Sequence, residues 1–472
     1  MNEYTYQDLL EAGQNETERI NFCLKAIQGH KASPEYKTAN IAKDYYKQEN
    51  TTIRLYQKIL YTITGEPKVD RFSANHKCPS NFFKRFVVQH TQYLLGNGVS
   101  FSDDSIKGAL GGDAFDKTLK KAGKEALKAG VCYGFYNMGT VKLFKLTEFV
   151  PLEDEEDGGL KAGIRFWQIN DNKPLRFTLY ELDGYTEYIK RKSEEPRIYK
   201  DKRPYILDIR YEGSNTEGEI ISGRNYASFP IVPFYANEDR ESLIVGMREN
   251  IDAYDLIKSG FANDLDDASL IYWTLENAGG MDDIDLVQFV ERLKTVRAAV
   301  VQGDAGAKAE AHTIDVPSTS RETYLTRLEA DLYRDAQALN VKLISQGNIT
   351  ATAIMAAYES QDGYASDLED QVCDFIDGLL ALAGYDDQVD YSFRRQRIAN
   401  QTEETNMILA AAQYLDQETV LRHLPFLAAD EIDGILDRTT EEEADRYADL
   451  EEENEELKNE LANNNNEGGT EQ

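Results

Sequence analysis

Paired cysteines, clustered histidines and long apolar runs are all missing from this 472-residue chain. Cys23, Cys78, Cys132 and Cys373 are scattered without paired spacing. That argues against a disulfide scaffold and points to folding in a reducing interior. His30, His76, His90, His312 and His423 do not cluster, so no zinc site is expected. No run approaches the ~18 consecutive apolar residues of a membrane span, and no membrane partner is expected. Met1-Asn2-Glu3-Tyr4-Thr5-Tyr6 lacks the basic-then-apolar layout of a signal peptide. Also absent are a phosphate-binding glycine loop ending in Lys-Ser/Thr, a His-Glu-x-x-His pair and a Gly-x-Ser-x-Gly elbow. The chain therefore reads as a non-enzyme, with no catalytic residue, cofactor or resident metal. Asp264-Leu265-Asp266-Asp267 and Met281-Asp282-Asp283 are the tempting acidic clusters. Among 84 acidic residues such groupings arise by chance, and the first reads as the solvated side of a helix.

What the chain has in excess is negative charge, −32 overall. Residues 1–128 carry 19 Lys/Arg against 15 Asp/Glu, whereas residues 401–472 carry 4 against 21. A protein that grips nucleic acid by its phosphates needs clustered cations. Here the average field repels, so any DNA contact is passage rather than grip; acidity as a simple solubility device is the other reading. The length suits two to four structural units, and the 41% hydrophobic content can support real cores.

Residues 1–60 read as helices with short breaks. Phe82, Phe83, Phe86, Val87, His90, Tyr93 and Leu94 mark another helix, stopped by Gly96-Asn97-Gly98, and His90 reads as a core histidine. A helix over 114–129 carries Lys117, Lys120, Lys121, Lys124 and Lys128, a stripe that reads as solvated. From Gly130 to Phe234 the period becomes two. Strands are expected at 131–137, 140–145, 163–168, 176–181, 185–191 and 205–211.

The segment 228–269 says most about the job. Ser228–Phe234 is an apolar strand bracketed by prolines, which suits an edge. A polar break, 236–242, then leads into a long amphipathic helix with Met247, Ile251, Tyr254, Ile257, Phe261 and Leu265 on one face. A small excursion over 270–316 reads strand (270–275), helix (283–295), strand (298–301) and strand (312–316). The returning helix starts near Ser320 with Thr319 and Glu322 as a capping box, and its stripe is Leu325, Leu328, Leu332, Ala336 and Leu339. It is expected to end at Lys342. Ser345-Gln346-Gly347-Asn348 follows as a turn, and a long helix runs from Thr350 to Gly384. Short helices with an acidic face fill 402–438. Residues 441–461 carry Leu450, Asn454, Leu457 and Leu461 near heptad spacing, and the Asn-rich end reads as disordered. Two helices enclosing an excursion suit a tube better than an active site.

In this order of parts the chain resembles a tailed-bacteriophage portal (head–tail connector) protein of siphophages and prophages of Gram-positive bacteria. The likeness is carried by Asn81–Lys84 through Tyr93–Phe101, by Phe229–Phe234 with Ile251–Asp255, by Ser259–Asp264, and by Gly347–Thr350 before Ala351–Tyr358, within roughly 80–440. It implies an α+β portal fold: a mixed α/β wing over 1–240 with 352–400, stem helices at 241–268 and 318–342, and a small α/β clip at 269–317. A tunnel loop at 343–351 and a helical crown with an acidic disordered tail at 401–472 complete it. The implied stem-packing residues are Met247, Ile251, Tyr254, Ile257, Phe261, Leu325, Leu328 and Leu332. The implied channel residues are Ser345, Gln346, Gly347, Asn348, Ile349 and Thr350. The resemblance further implies a ring, usually dodecameric, at one capsid vertex. Double-stranded DNA passes through such a ring, the terminase large subunit docks on the clip, and a head–tail adaptor later replaces it. Scaffolding and major capsid proteins are further implied partners, and the implied locations are the virion and, during assembly, the host cytoplasm. The alternative reading is an acidic scaffold or capsid adaptor that forms no channel.

Overall fold

Helices come first, as the spacing over 1–60 requires: α1 (Tyr6–Glu11), α2 (Glu16–Ala32), α3 (Pro34–Tyr46) and α4 (Thr51–Leu55). The computed structural model describes residues 3–13, 15–61, 65–70, 73–192, 194–210, 219–268, 272–276, 308–312, 317–344, 351–385, 389–396, 405, 408–424, 432, 434–436 and 438–439. Ser33 separates α2 from α3: its hydroxyl accepts from the Tyr36 N–H at 3.1 Å, and Pro34 takes the first helical position, where no N–H is needed. A hairpin of β1 (Ile59–Tyr61) and β2 (Pro67–Val69) follows. Next come α5 (Phe82–Leu95), β3 (Val99–Phe101), α6 (Asp104–Ala109) and α7 (Asp113–Ala129). α5 stops where expected, with Gly98 at φ 79° and its N–H on the Leu95 carbonyl. α7 ends at Gly130, φ 89°, where a Cβ would meet the Arg240 carbonyl oxygen at 2.2 Å.

The strand region holds β4 (Val131–Tyr136), β5 (Val141–Lys145), β6 (Phe149–Glu153), β7 (Leu160–Trp167), β8 (Leu175–Glu181) and β9 (Gly184–Lys190). β10 (Arg197–Arg203), β11 (Ile206–Arg210), β12 (Glu219–Arg224) and β13 (Ile231–Tyr235) complete it. β10-β9-β8-β7-β6 form an antiparallel meander, and β13-β4-β5 a second sheet. The proline-bracketed strand is an edge, with Pro233 opposite Tyr133. β6, β10 and β12 add strands to those expected. β6 and β10 are edges: one contains Pro151, the other is mostly exposed and carries Arg197, Lys200, Lys202 and Arg203. Edge strands tolerate proline and shed aggregation partners with charge, so neither carries the apolar alternation that marks a half-buried strand.

The largest core joins α5 and α7 to β4, β13 and the later helices, through Phe86, Phe115, Leu127, Phe234 and Phe375. A second lies between α2 and the meander, with Cys23 and Ile27 against Ile164, Phe177 and Leu179. Then follow α8 (Arg248–Ala268), β14 (Tyr272–Glu276), β15 (Lys308–His312), α9 (Ser318–Asp335), α10 (Val341–Ile344), α11 (Ala351–Ala383) and β16 (Tyr391–Phe393), which pairs with β3. In the later chain α12 (Gln417–His423) is capped by Asp416, which accepts from the Thr419 N–H at 2.9 Å. Two compact units result: residues 1–347 with 356–396, and residues 348–355 with 397–472.

Two expectations are corrected. Thr319 is no cap: α9 starts at Ser318, so Thr319 is inside the helix and its carbonyl accepts from the Thr323 hydroxyl. α9 does not reach Lys342. It ends at Asp335 because Gln337 turns to φ 50°, sending its N–H to the Arg334 carbonyl and the Ala338 N–H to Tyr333. That is a Schellman closure with glutamine where glycine is usual. Ala336 and Leu339 stay buried, so the apolar spacing runs on past the break. Within the excursion, Lys308–His312 pairs with Tyr272–Glu276, and of the expected strand 312–316 only His312 is among the described residues. The expected helix at 283–295, strand at 298–301 and segment 441–472 lie outside the described residues.

Candidate functional site: the projecting helix pair and its anchorage

The polar break before α8 is pinned to the end of α7. Ala236 donates its N–H to the Gly130 carbonyl, Leu243 to Leu127, and the Ser242 hydroxyl to Lys128 at 2.6 Å. α8 therefore leaves the body at a set angle. α9 returns antiparallel to it. Asp264 pairs with Arg321 at one end, and at the other Asn250 Nδ2 donates to Asp335 at 3.2 Å.

The structure divides the proposed stem-packing residues. Met247, Ile251, Leu328 and Leu332 are buried within this chain. Tyr254, Ile257, Phe261 and Leu325 are only half-buried, and Leu265 is exposed. Tyr254 packs edge-on against Phe82, with ring centroids 4.9 Å apart. Ile257, Gly260, Ser320, Arg321 and Tyr324 line a shallow groove of about 360 Å³ along the pair.

Sequence reasoning missed the most deeply buried stripe of α8, because it is polar. Asp255, Ser259 and Asn263, spaced by four, are all buried. Each accepts a backbone N–H from an extended segment at alternate residues: Ser80 to Asp255 Oδ1 at 2.8 Å, Cys78 to Ser259 Oγ at 3.0 Å, and His76 to Asn263 Oδ1 at 2.6 Å. Two extended residues advance about 6.6 Å. Four helical residues advance about 6.0 Å. The two periods therefore stay in step for three rungs. Asn50 Nδ2 donates to the second oxygen of Asp255, and the His76 ring meets Asp266 beyond the last rung. Burial raises the Asp255 carboxyl pKa, against the opposing effect of the Asn50 and Ser80 hydrogen bonds. One turn earlier, Asp252 accepts from the Tyr45 and Thr52 hydroxyls, the latter at 2.7 Å. Anchorage on one side and open apolar surface on the other define what this helix pair can do: it is held, and it presents a face.

The expected tunnel residues, Ser345 to Thr350, lie outside the described residues. His90 is a core histidine as read. It is 2% exposed, its Nε2 bonds to the Ala336 carbonyl at 2.9 Å, and burial pushes its pKa down to about 4. The lysine stripe of α7 is partly employed: Lys120 donates to the Gly96 carbonyl, and Lys128 pairs with Glu125 and lies over the Tyr46 ring, whereas Lys117 and Lys121 are exposed. Among the described residues no three His, Cys, Asp or Glu side chains are grouped to hold a metal ion, and no helix is long and apolar enough to cross a membrane.

Fold and site together describe a structural chain, built for anchorage and packing. A family model described as "Phage portal protein, SPP1 Gp6-like" matches residues 26–464, and the chain belongs to that family. The portal protein of Bacillus phage SPP1 is 25% identical over 485 residues, covering 95% of this chain and 91% of that protein. The portal protein of Clostridium phage phiCD119 is 24% identical over 421 residues, covering 82% and 88%. A chain from the neck of a native gene transfer agent particle covers 74% of this chain and 91% of its own length, at 10% identity and a TM-score of 0.40. The function is that of a portal at the capsid vertex of a virion.

Proposed function

We propose that this chain works as a closed homo-oligomeric ring, a dodecamer, with α8 and α9 as the stem. Residues 269–317 form the clip, 343–351 the tunnel loop, 1–240 with 352–400 the wing, and 401–472 the crown. Double-stranded DNA passes through the channel during packaging and ejection. The terminase large subunit docks on the clip while the head fills, and a head–tail adaptor takes its place afterwards. Scaffolding and major capsid proteins surround the wing, and assembly takes place in the host cytoplasm.

The observation that carries this reading is the helix pair. α8 is tied to its own body by polar rungs, while Ile257, Phe261, Leu265 and Tyr324 stay partly or largely open. A solvated monomer leaves that surface uncovered, and neighbouring copies around a ring would cover it. The charge fits a conduit. Twelve copies at −32 each make a lining or mouth that repels phosphate, so the cargo is not held. Negative-stain imaging of the purified full chain tests the proposal. Rings with an axial hole are expected, and a field of monomers or filaments would overturn it.

A further inference from the structure

Among the described strands β1 and β2 pair only with each other, and an isolated two-stranded ladder is marginal in water. Ile59 lies opposite Val69 in its register, and both are about half exposed. Leu55, 79% exposed, and Tyr56, 45% exposed, precede β1 in the chain. Pro67 lacks an N–H and interrupts the edge of β2, which favours covering by side chains over extension of the ladder.

The position of this hairpin follows from its neighbours. Lys77 Nζ reaches the Tyr56 carbonyl and lies 4.9 Å from its ring. Lys77 stands between the rungs His76–Asn263 and Cys78–Ser259. The hairpin base is therefore beside the turn of α8 that carries Ser259. The groove lined by Ile257, Gly260, Ser320, Arg321 and Tyr324 is on that same turn, on the other side. At about 100° per residue, Gly260 and Ile257 lie roughly 100° and 160° round the helix from Ser259.

We infer that in the assembled ring the β1–β2 hairpin of each subunit seats in the α8–α9 groove of the next copy. This inference rests on the ring proposed above. A closed ring is heterologous, so each subunit must offer two different faces at one height, and in a twelve-membered ring these look toward neighbours about 150° apart. Hairpin and groove meet both requirements. The surfaces also match in kind: Ile257 and Tyr324 wall the groove, and Gly260 and Ser320 leave room for an Ile or Leu side chain. Charge runs the same way. Residues 54–69 hold Arg54, Lys58 and Lys68 against Glu66, a balance of +2. Residues 257–267 and 320–324 hold Asp264, Asp266, Asp267 and Glu322 against Lys258 and Arg321, a balance of −2.

The test is covalent. Ile59→Cys and Tyr324→Cys are placed in separate full-length chains, with Val69→Cys and Gly260→Cys as a second pair, all in a Cys78→Ser background. The chains are mixed, assembled, checked for rings by microscopy, and oxidised. A disulfide needs Cα atoms within about 7 Å. The expected result is a covalent dimer from at least one mixed pair and none from either single variant alone. Putting both cysteines of that pair in one chain should give a ladder of covalent multimers. Rings that yield no mixed dimer at either pair overturn the hairpin contact while leaving the ring intact. Absence of rings from the unmodified chain overturns both.

Discussion

Asp255 offers the sharpest test of how the stem is anchored. Its carboxylate is fully buried and takes two donors, the Ser80 N–H and the Asn50 amide. Asp255→Ala leaves the Ser80 N–H and one N–H of Asn50 without an acceptor, at about 1–3 kcal/mol each, while Asn50 Nδ2 keeps its bond to the Ser80 carbonyl. Relief from burying a carboxylate offsets part of this, so a local loss of about 2–4 kcal/mol is expected. At about 1.4 kcal/mol per factor of ten, amide exchange across residues 74–82 should speed up roughly 30- to 700-fold. Ser259→Ala removes one rung and should speed exchange of the same peptide about fivefold, or about 1 kcal/mol. Asp255→Asn keeps an acceptor for Ser80 and separates charge from hydrogen bonding. Burial raises the folded carboxyl pKa above its unfolded value, so the fold favours the protonated form. That contribution is fully present below the unfolded pKa and is lost as pH rises through the folded one. The protection of segment 74–82 should therefore decline over that window in the parent chain and stay flat in Asp255→Asn. Hydrogen–deuterium exchange read by mass spectrometry follows all three variants. Unchanged exchange in Asp255→Ala would refute the ladder as the anchor of α8.

Other residues make separate predictions. Ile257→Asp with Phe261→Asp alters half-buried positions, so the subunit should melt within a few degrees of the parent yet form no rings; normal rings by microscopy would contradict the stem reading. Ile251→Asp, buried inside the subunit, should instead destabilise the fold by about 3 kcal/mol or more, measured by thermal unfolding. His90 has a folded pKa of about 4 against 6.5, so the neutral form is the one the fold accepts. Its contribution is full above pH 6.5 and is lost as pH falls through about 4, roughly 3 kcal/mol in all. His90→Gln should remove that part of the acid sensitivity in stability measured against pH. Gln346→Lys with Asn348→Lys should leave rings intact but slow DNA packaging, more so at low salt; a normal packaging rate at every ionic strength would remove the tunnel-loop assignment.

Local spacing determined much of this protein. The helices of residues 1–60, the stop at Gly96-Asn97-Gly98, the edge strand around Pro233 and the long helix to Gly384 follow from apolar period and from glycine and proline chemistry, which act within a few residues. The order of these parts was also enough to mark the family. Tertiary structure alone decided which side of α8 is held. Asp255, Ser259 and Asn263 give no burial signal in the sequence, because they are polar and their partners lie 175 to 187 residues away in a segment with no pattern of its own. The break after Asp335 was hidden for a related reason. Gln337 adopts a left-handed turn that sequence reserves for glycine, while Ala336 and Leu339 continue the apolar spacing into the same core. Hydrophobic period reports what must be buried, whereas the choice among burial partners depends on contacts distant in the chain.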